Sequence, residues 1–107
     1  MLSATDYREV FSSPEQKSGQ KELLLLARGN KLSQHRLGLA IAKKHVPTAV
    51  KRNLIKRLTR ECFRKLQGSA TCMDVVVLSR PGANTASRAD LRTAIARQFA
   101  RLGLQAE

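Results

Sequence analysis

Six residues of one short segment, Arg52, Asn53, Lys56, Arg57, Arg60 and Arg64, recur at helical intervals, and their shared chemistry is phosphate recognition. Guanidinium and ammonium groups donate to phosphate oxygens. An amide set among them offers a donor and an acceptor to phosphate, sugar or base edge. Arg52, Lys56, Arg60 and Arg64 are successive i, i+4 neighbours, and each like-charge step costs about 0.2–0.5 kcal/mol in an isolated helix. From Lys43 to Lys65 there are nine cations and one acid, Glu61, so +8 of the chain's net +12 lies there. A merely solvated face mixes its signs. This one does not, and the missing counter-charge must come from a polyanionic partner.

Other reactive side chains form no comparable pattern. The eight acids, Asp6, Glu9, Glu15, Glu22, Glu61, Asp74, Asp90 and Glu107, make no metal-binding cluster in sequence. His35 and His45 are isolated, and Cys62 and Cys72 lack metal-ligand spacing. Cys62 falls on the apolar side of a helix, where a buried thiol is expected. No residue is assigned a catalytic or metal-ligating role, and the chain is expected to be inert as a nuclease on its own.

These residues need a scaffold, and 107 residues of 42% hydrophobic content supply a single modest core, here read as one domain over residues 1–107. Aromatics make up 4% and Trp is absent, so Leu, Val, Ile and Ala must fill it. With a pI near 10.9, nucleic acid is the first candidate partner and an anionic membrane the second. The membrane is disfavoured because the basic segment has no flanking aromatics to insert and needs its apolar side for the core. Neither a spanning stretch nor a basic-then-apolar signal pattern is visible, so a cytoplasmic protein is expected.

Residues 3–13 read as a first helix capped by Ser3, with Tyr7, Val10 and Phe11 on one face. Pro14 and Gly19 break the pattern. Residues 22–28 are taken as a strand. Residues 37–42 alternate bulky Leu37, Leu39 and Ile41 with bare Gly38, Ala40 and Ala42, a clearer strand. The bare face suits either close packing against a helix or a shallow surface left open for a ligand. Thr48 or the Pro47 turn starts the basic helix, and Gly68-Ser69 ends it. On that helix Leu54, Ile55, Leu58 and Cys62 form an apolar stripe opposite the cations. An unbroken Val run over 73–80 suits an interior strand. Ser87 and Asp90 open a last helix, striped by Leu91, Ile95, Phe99 and Leu102 and stopped by Gly103. The order α-β-β-α-β-α, with room for one extra short strand, predicts an α+β two-layer sandwich on a small mixed sheet. Three strand-like segments argue against a helix-turn-helix DNA reader.

Over residues 36–64 the sequence RLGLAIAKKHVPTAVKRNLIKRLTRECFR resembles the protein subunit of bacterial ribonuclease P. A Gly-Leu strand ends in Ala-Lys-Lys, a short gap follows, and a helix bearing an Arg-Asn pair continues as Ile-Lys-Arg-Leu-x-Arg-Glu. The likeness extends more weakly through Asp6–Phe11 and 73–80. It implies a monomeric accessory protein that binds a catalytic RNA and the 5′ leader of precursor tRNA. In that ribonucleoprotein the RNA performs Mg²⁺-dependent leader removal and holds the metal. It also implies a left-handed crossover between parallel strands, opposite to the general rule.

By the resemblance, Arg52, Asn53, Lys56, Arg57 and Arg60 face the catalytic RNA, with Arg64 continuing the same cationic row, and Lys43 and Lys44 stand at the strand end beside a cleft. Tyr7 and Phe11 match aromatics lining the leader-binding cleft. A core role at i, i+4 is the competing account for these two rings. Leu54 replaces the second Arg of the signature Arg-Asn-Arg. A basic arm that members carry before the first helix has no counterpart in this sequence. A third aromatic, common in the first strand, is replaced by leucine near Leu25. The competing functional readings are a general structured-RNA or ribosome-associated protein, and a nuclease acting without RNA.

Overall fold

The computed structural model describes residues 4–30, 34–67, 72–103 and 105–106. Helix α1 (Ala4–Ser12) is followed by β1 (Gln16–Gly19), β2 (Leu23–Gly29) and β3 (Arg36–Ala40). Then come α2 (Ala49–Arg64), β4 (Leu66–Gln67), β5 (Met73–Ser79), a 3-10 turn (Pro81–Asn84), α3 (Arg88–Arg101) and β6 (Gln105–Ala106). The main sheet has the order β1-β2-β5-β3, antiparallel except for the parallel β3–β5 pair. The α+β architecture on a mixed sheet is the one expected.

Register explains the unbroken apolar strands. Leu25 lies opposite Val77, and Leu39 opposite the same residue on the far side. All three, with Leu23, Ala27, Val75 and Leu37, face α2 and α3 in the larger core. The alternate residues Leu26 and Val76 pack with Val10 and Tyr7 of α1 on the other face, beside Leu24 and Leu78. Both faces of β2 and β5 are covered, so both need apolar side chains. Two helices thus share one layer, and α1 lies on the opposite face of the sheet.

Local chemistry sets the ends. Thr48 caps α2 by accepting from the Lys51 amide, and Ser87 caps α3 by accepting from Asp90 N–H at 3.0 Å. The α3 helix stops where Gly103 takes φ +84°, a conformation costly for residues with a Cβ. The expected Ser3 cap and Gly68-Ser69 stop lie outside the described residues. The α2 helix itself ends at Arg64, before those two.

Three strands went beyond the six-element order. The edge strand β1 takes the place allowed for one extra strand, whereas the short β4–β6 pair was not anticipated. Gln16–Gly19 is polar and ends in glycine, so its strand state comes from pairing with β2 and not from its own propensity.

Candidate nucleic-acid interface

Helix α2 is buried along Ile55, Leu58 and Thr59, with Leu54, Cys62 and Phe63 half-buried at the flanks. Leu54 sits against the core, as its wheel position required. The cations divide into distinct environments. Lys56, Arg60 and Arg64 line a cleft of about 530 Å³ together with Tyr7, Arg36, Leu37 and Phe63. Asn53 and Arg57 are exposed, and Arg57 makes a loose, solvent-facing contact of 3.9 Å with Glu61. Such an exposed i, i+4 pair contributes little. No carboxylate lies within salt-bridge distance of Lys56, Arg60 or Arg64 among the described residues.

Arg52 behaves differently from the others. Its Nη1 donates to the carbonyls of Val46 and Pro47, at 3.0 and 2.8 Å. The side chain turns back over the segment that enters the helix, tying that entry in place. Lys51 likewise donates to the Ala86 carbonyl, joining the start of α2 to the approach of α3. Lys43 and Lys44 are exposed in the turn beyond β3, outside the cleft lining.

Across the cleft, α1 supplies Tyr7. Its hydroxyl accepts from the Leu39 N–H at 3.1 Å. Since β3 is an edge strand, that amide has an outward donor to satisfy. Phe11 stacks beside Tyr7, centroids 6.4 Å apart and planes 21° apart, yet it is 46% exposed and does not line the cleft. Tyr7 is therefore partly a packing residue, and Phe11 is the open ring. The alternation of bare residues on β3 meets both accounts in part: Gly38 is buried, whereas Ala40 and Ala42 are half-buried.

Sequence reasoning missed Phe63. On the helical wheel it falls among the cations, three residues after Arg60, which should have marked it as an aromatic embedded in a basic face. It contacts Phe99 with centroids 6.0 Å apart and also lines the cleft. Among the leucines near Leu25, Leu25 itself is buried against α2 and α3. On β2 the neighbouring Leu24 faces the α1 side, half-buried.

An ion-pair network holds α1 to the sheet. Arg36 donates to both carboxylate oxygens of Asp74, at 2.8 and 2.7 Å, and lies 3.3 Å from Asp6 of α1. Asn30 also donates to Asp74, at 2.9 Å. Donating to the Asp74 carboxylate raises the Arg36 pKa above its usual value, against an opposing desolvation. Both histidines have structural contacts. His35 Nδ1 accepts from Met73 N–H at 2.9 Å, and His45 Nδ1 lies 3.2 Å from Ser79 Oγ. Burial pushes the Cys62 thiol up, with Lys65 opposing.

The sequence model of the Ribonuclease P family matches residues 1–103. The chain is 43% identical over 102 residues to the ribonuclease P protein component of Ectopseudomonas mendocina, covering 95% of this chain and 73% of that protein. The counterpart in Pseudomonas savastanoi is 48% identical over 82 residues, which span 77% of this chain and 62% of that protein. In fold, the chain resembles the Staphylococcus aureus RNase P protein with a TM-score of 0.82 at 20% identity, over 95% of this chain and 93% of that one.

Proposed function

The chain belongs to the ribonuclease P protein family, and we propose that it is the protein subunit that binds a catalytic RNA and the 5′ leader of precursor tRNA, assisting leader removal. The observation that carries this reading is the cleft, in which Lys56, Arg60 and Arg64 stand within reach of Tyr7 and Phe63. Phosphates along a single strand meet the cations, and bases meet the rings. Stacking of this kind is worth about 1–3 kcal/mol per base.

The outward residues Asn53 and Arg57 suit a second direction of contact, toward the folded catalytic RNA. In this assignment Arg52 contributes potential while its own hydrogen bonds stay within the protein. Lys43 and Lys44 extend the field at the end of β3, and Phe11 offers an accessible ring beside Tyr7. The protein's chemical part is positioning and charge neutralisation. Hydrolysis of the phosphodiester and the Mg²⁺ it requires belong to the RNA. Among the described residues no group of three or more His, Cys, Asp or Glu side chains gathers as metal ligands. Among them, too, no helix is long and apolar enough to cross a membrane. The cytoplasm is the compartment this role requires.

Precursor tRNA incubated with the purified protein, with a bacterial ribonuclease P RNA, and with both at low salt tests the proposal. The protein alone should cut nothing, and the mixture should release the leader faster than the RNA does. Equal rates with and without protein would overturn it. Cleavage by the protein alone would replace it with a protein nuclease.

A further inference from the structure

Helix α3 carries a second basic surface that the strongly charged α2 segment overshadows. Arg88, Arg92, Arg97 and Arg101 are all exposed, against the single acid Asp90 on the same helix. Among the described residues none of the four arginines has a carboxylate within salt-bridge distance. Arg88–Arg92 and Arg97–Arg101 are like-charge i, i+4 pairs, each an unfavourable choice in an isolated helix. Arg88 also sits in the first turn, where the helix dipole disfavours a cation.

The geometry adds a shape to this charge. With Leu91, Ile95 and Phe99 turned into the core, the outward ridge of α3 consists of Ala89, Thr93, Ala96 and Ala100, all exposed. The Arg88–Arg92 pair flanks one side of the ridge, and the Arg97–Arg101 pair flanks the other. Arg92 borders the groove toward α2, whose lining includes Lys65 and Glu61, and Arg97 borders a separate hollow with Lys21, Glu22 and Asp90, acids that do not pair with the arginines. Small side chains let another backbone approach closely, while long guanidinium arms on both sides reach its oxygens. This ridge has no aromatic residue on which a base could stack.

We propose that α3 is a contact surface for the sugar-phosphate backbone of folded, double-helical RNA, distinct from the single-strand cleft between α1 and α2. This rests on the RNA-binding function proposed above and assigns part of that binding to a second face. The division follows from side-chain chemistry: rings and cations serve unpaired bases, whereas a ring-free saddle of arginines fits only backbone. Because α2 and α3 pack side by side on one face of the sheet, one RNA can engage both.

The test uses the full chain with two labelled probes, a mixed-sequence RNA hairpin duplex and a single-stranded RNA oligonucleotide. Binding is followed by anisotropy across a series of KCl concentrations. The variants are Arg88→Gln/Arg92→Gln, Arg97→Gln/Arg101→Gln, their Lys counterparts, and Arg8→Gln/Lys17→Gln as an equal charge change elsewhere. Each Gln pair on α3 should flatten the duplex salt slope by about 1.4–1.8, at 0.7–0.9 per lost phosphate contact. The slope for the single strand should hold, and the Lys pairs should restore the duplex slope. An unaltered duplex slope, or a loss matched by the Arg8/Lys17 pair or by the single strand, overturns the proposal. If wild-type protein still accelerates leader removal in that event, only the α3 assignment falls. If it does not, the functional reading falls with it.

Discussion

Arg36 and Asp74 form a two-pronged ion pair across the parallel strands β3 and β5, with donor-to-acceptor distances of 2.8 and 2.7 Å. The same guanidinium lies 3.3 Å from Asp6, the residue beside Tyr7 on α1. The pair that joins two strands thereby also fixes the helix that supplies a ring to the cleft.

Asp74→Asn keeps the side chain's size but removes the charge that organises this network. The Tm should fall by about 4–8 °C, the shift of roughly 1 kcal/mol in a domain of this size. Leader affinity should fall more than affinity for catalytic RNA, because Tyr7 loses its anchor. The raised pKa of Arg36 sets the pH window. A cation stabilised in the fold contributes fully below its ordinary range and is lost only as pH rises through the raised value, beyond working conditions. Alkaline titration to pH 10 should therefore not release the pair; an Arg36-dependent loss below that pH would contradict it.

Tyr7→Phe separates packing from stacking. The ring stays, but the Leu39 amide loses its acceptor at a cost of about 0.5–1.5 kcal/mol. Hydrogen exchange at Leu39 should quicken, while binding of a single-stranded leader changes by less than about threefold, since a phenyl face still stacks. A tenfold loss of leader binding with unchanged exchange at Leu39 would assign the hydroxyl to the RNA instead.

Gly82→Ala should destabilise the fold at a turn outside the cleft between α1 and α2. A Cβ there would run into the Lys21 carbonyl, which is backbone and already accepts the Gly82 N–H at 3.0 Å. Overpacking of this kind typically costs about 1–3 kcal/mol. Chemical denaturation should show a lower midpoint with an unchanged m-value. A midpoint equal to the wild type would mean that the turn moves aside without cost.

The Cys62 thiol, held up by burial, makes stability fall on the alkaline side. The unfolded chain loses its thiol proton at the ordinary pH, while the fold retains it until a higher one. Over that interval the unfolded state binds fewer protons and gains stability relative to the fold. Cys62→Ala should abolish this dependence above pH 8, at a small constant cost for the lost packing. Alkylation at Cys62 should also be slower than for an unstructured thiol peptide. Equal alkylation rates would show the thiolate to be freely formed.

Much of the scaffold was legible because periodicity and end chemistry are local. Thr48 and Ser87 announce helix starts through hydroxyls that accept from amides three residues on, and Gly103 announces a stop through its lack of Cβ. The cationic face of α2 needed only the spacing of Arg52, Lys56, Arg60 and Arg64. Other features depend on partners that the chain order does not reveal. Gln16–Gly19 becomes a strand because β2 offers it hydrogen bonds, and Leu25 faces the helical core because register with Val77 puts it there.

The sequence by itself determined the charge, the helix that concentrates it, and the strand–gap–helix pattern shared with a known family. These follow from residue types and short spacings. Only the tertiary structure decided what each charge meets: Arg52 bends onto two carbonyls, Lys56, Arg60 and Arg64 turn toward the aromatics of a cleft, and Arg36 is drawn to acids from two other elements. Hydrogen bonds and ion pairs act over a few ångströms in space, and residues thirty-eight apart in the chain, such as Arg36 and Asp74, come within that range only after the sheet has formed.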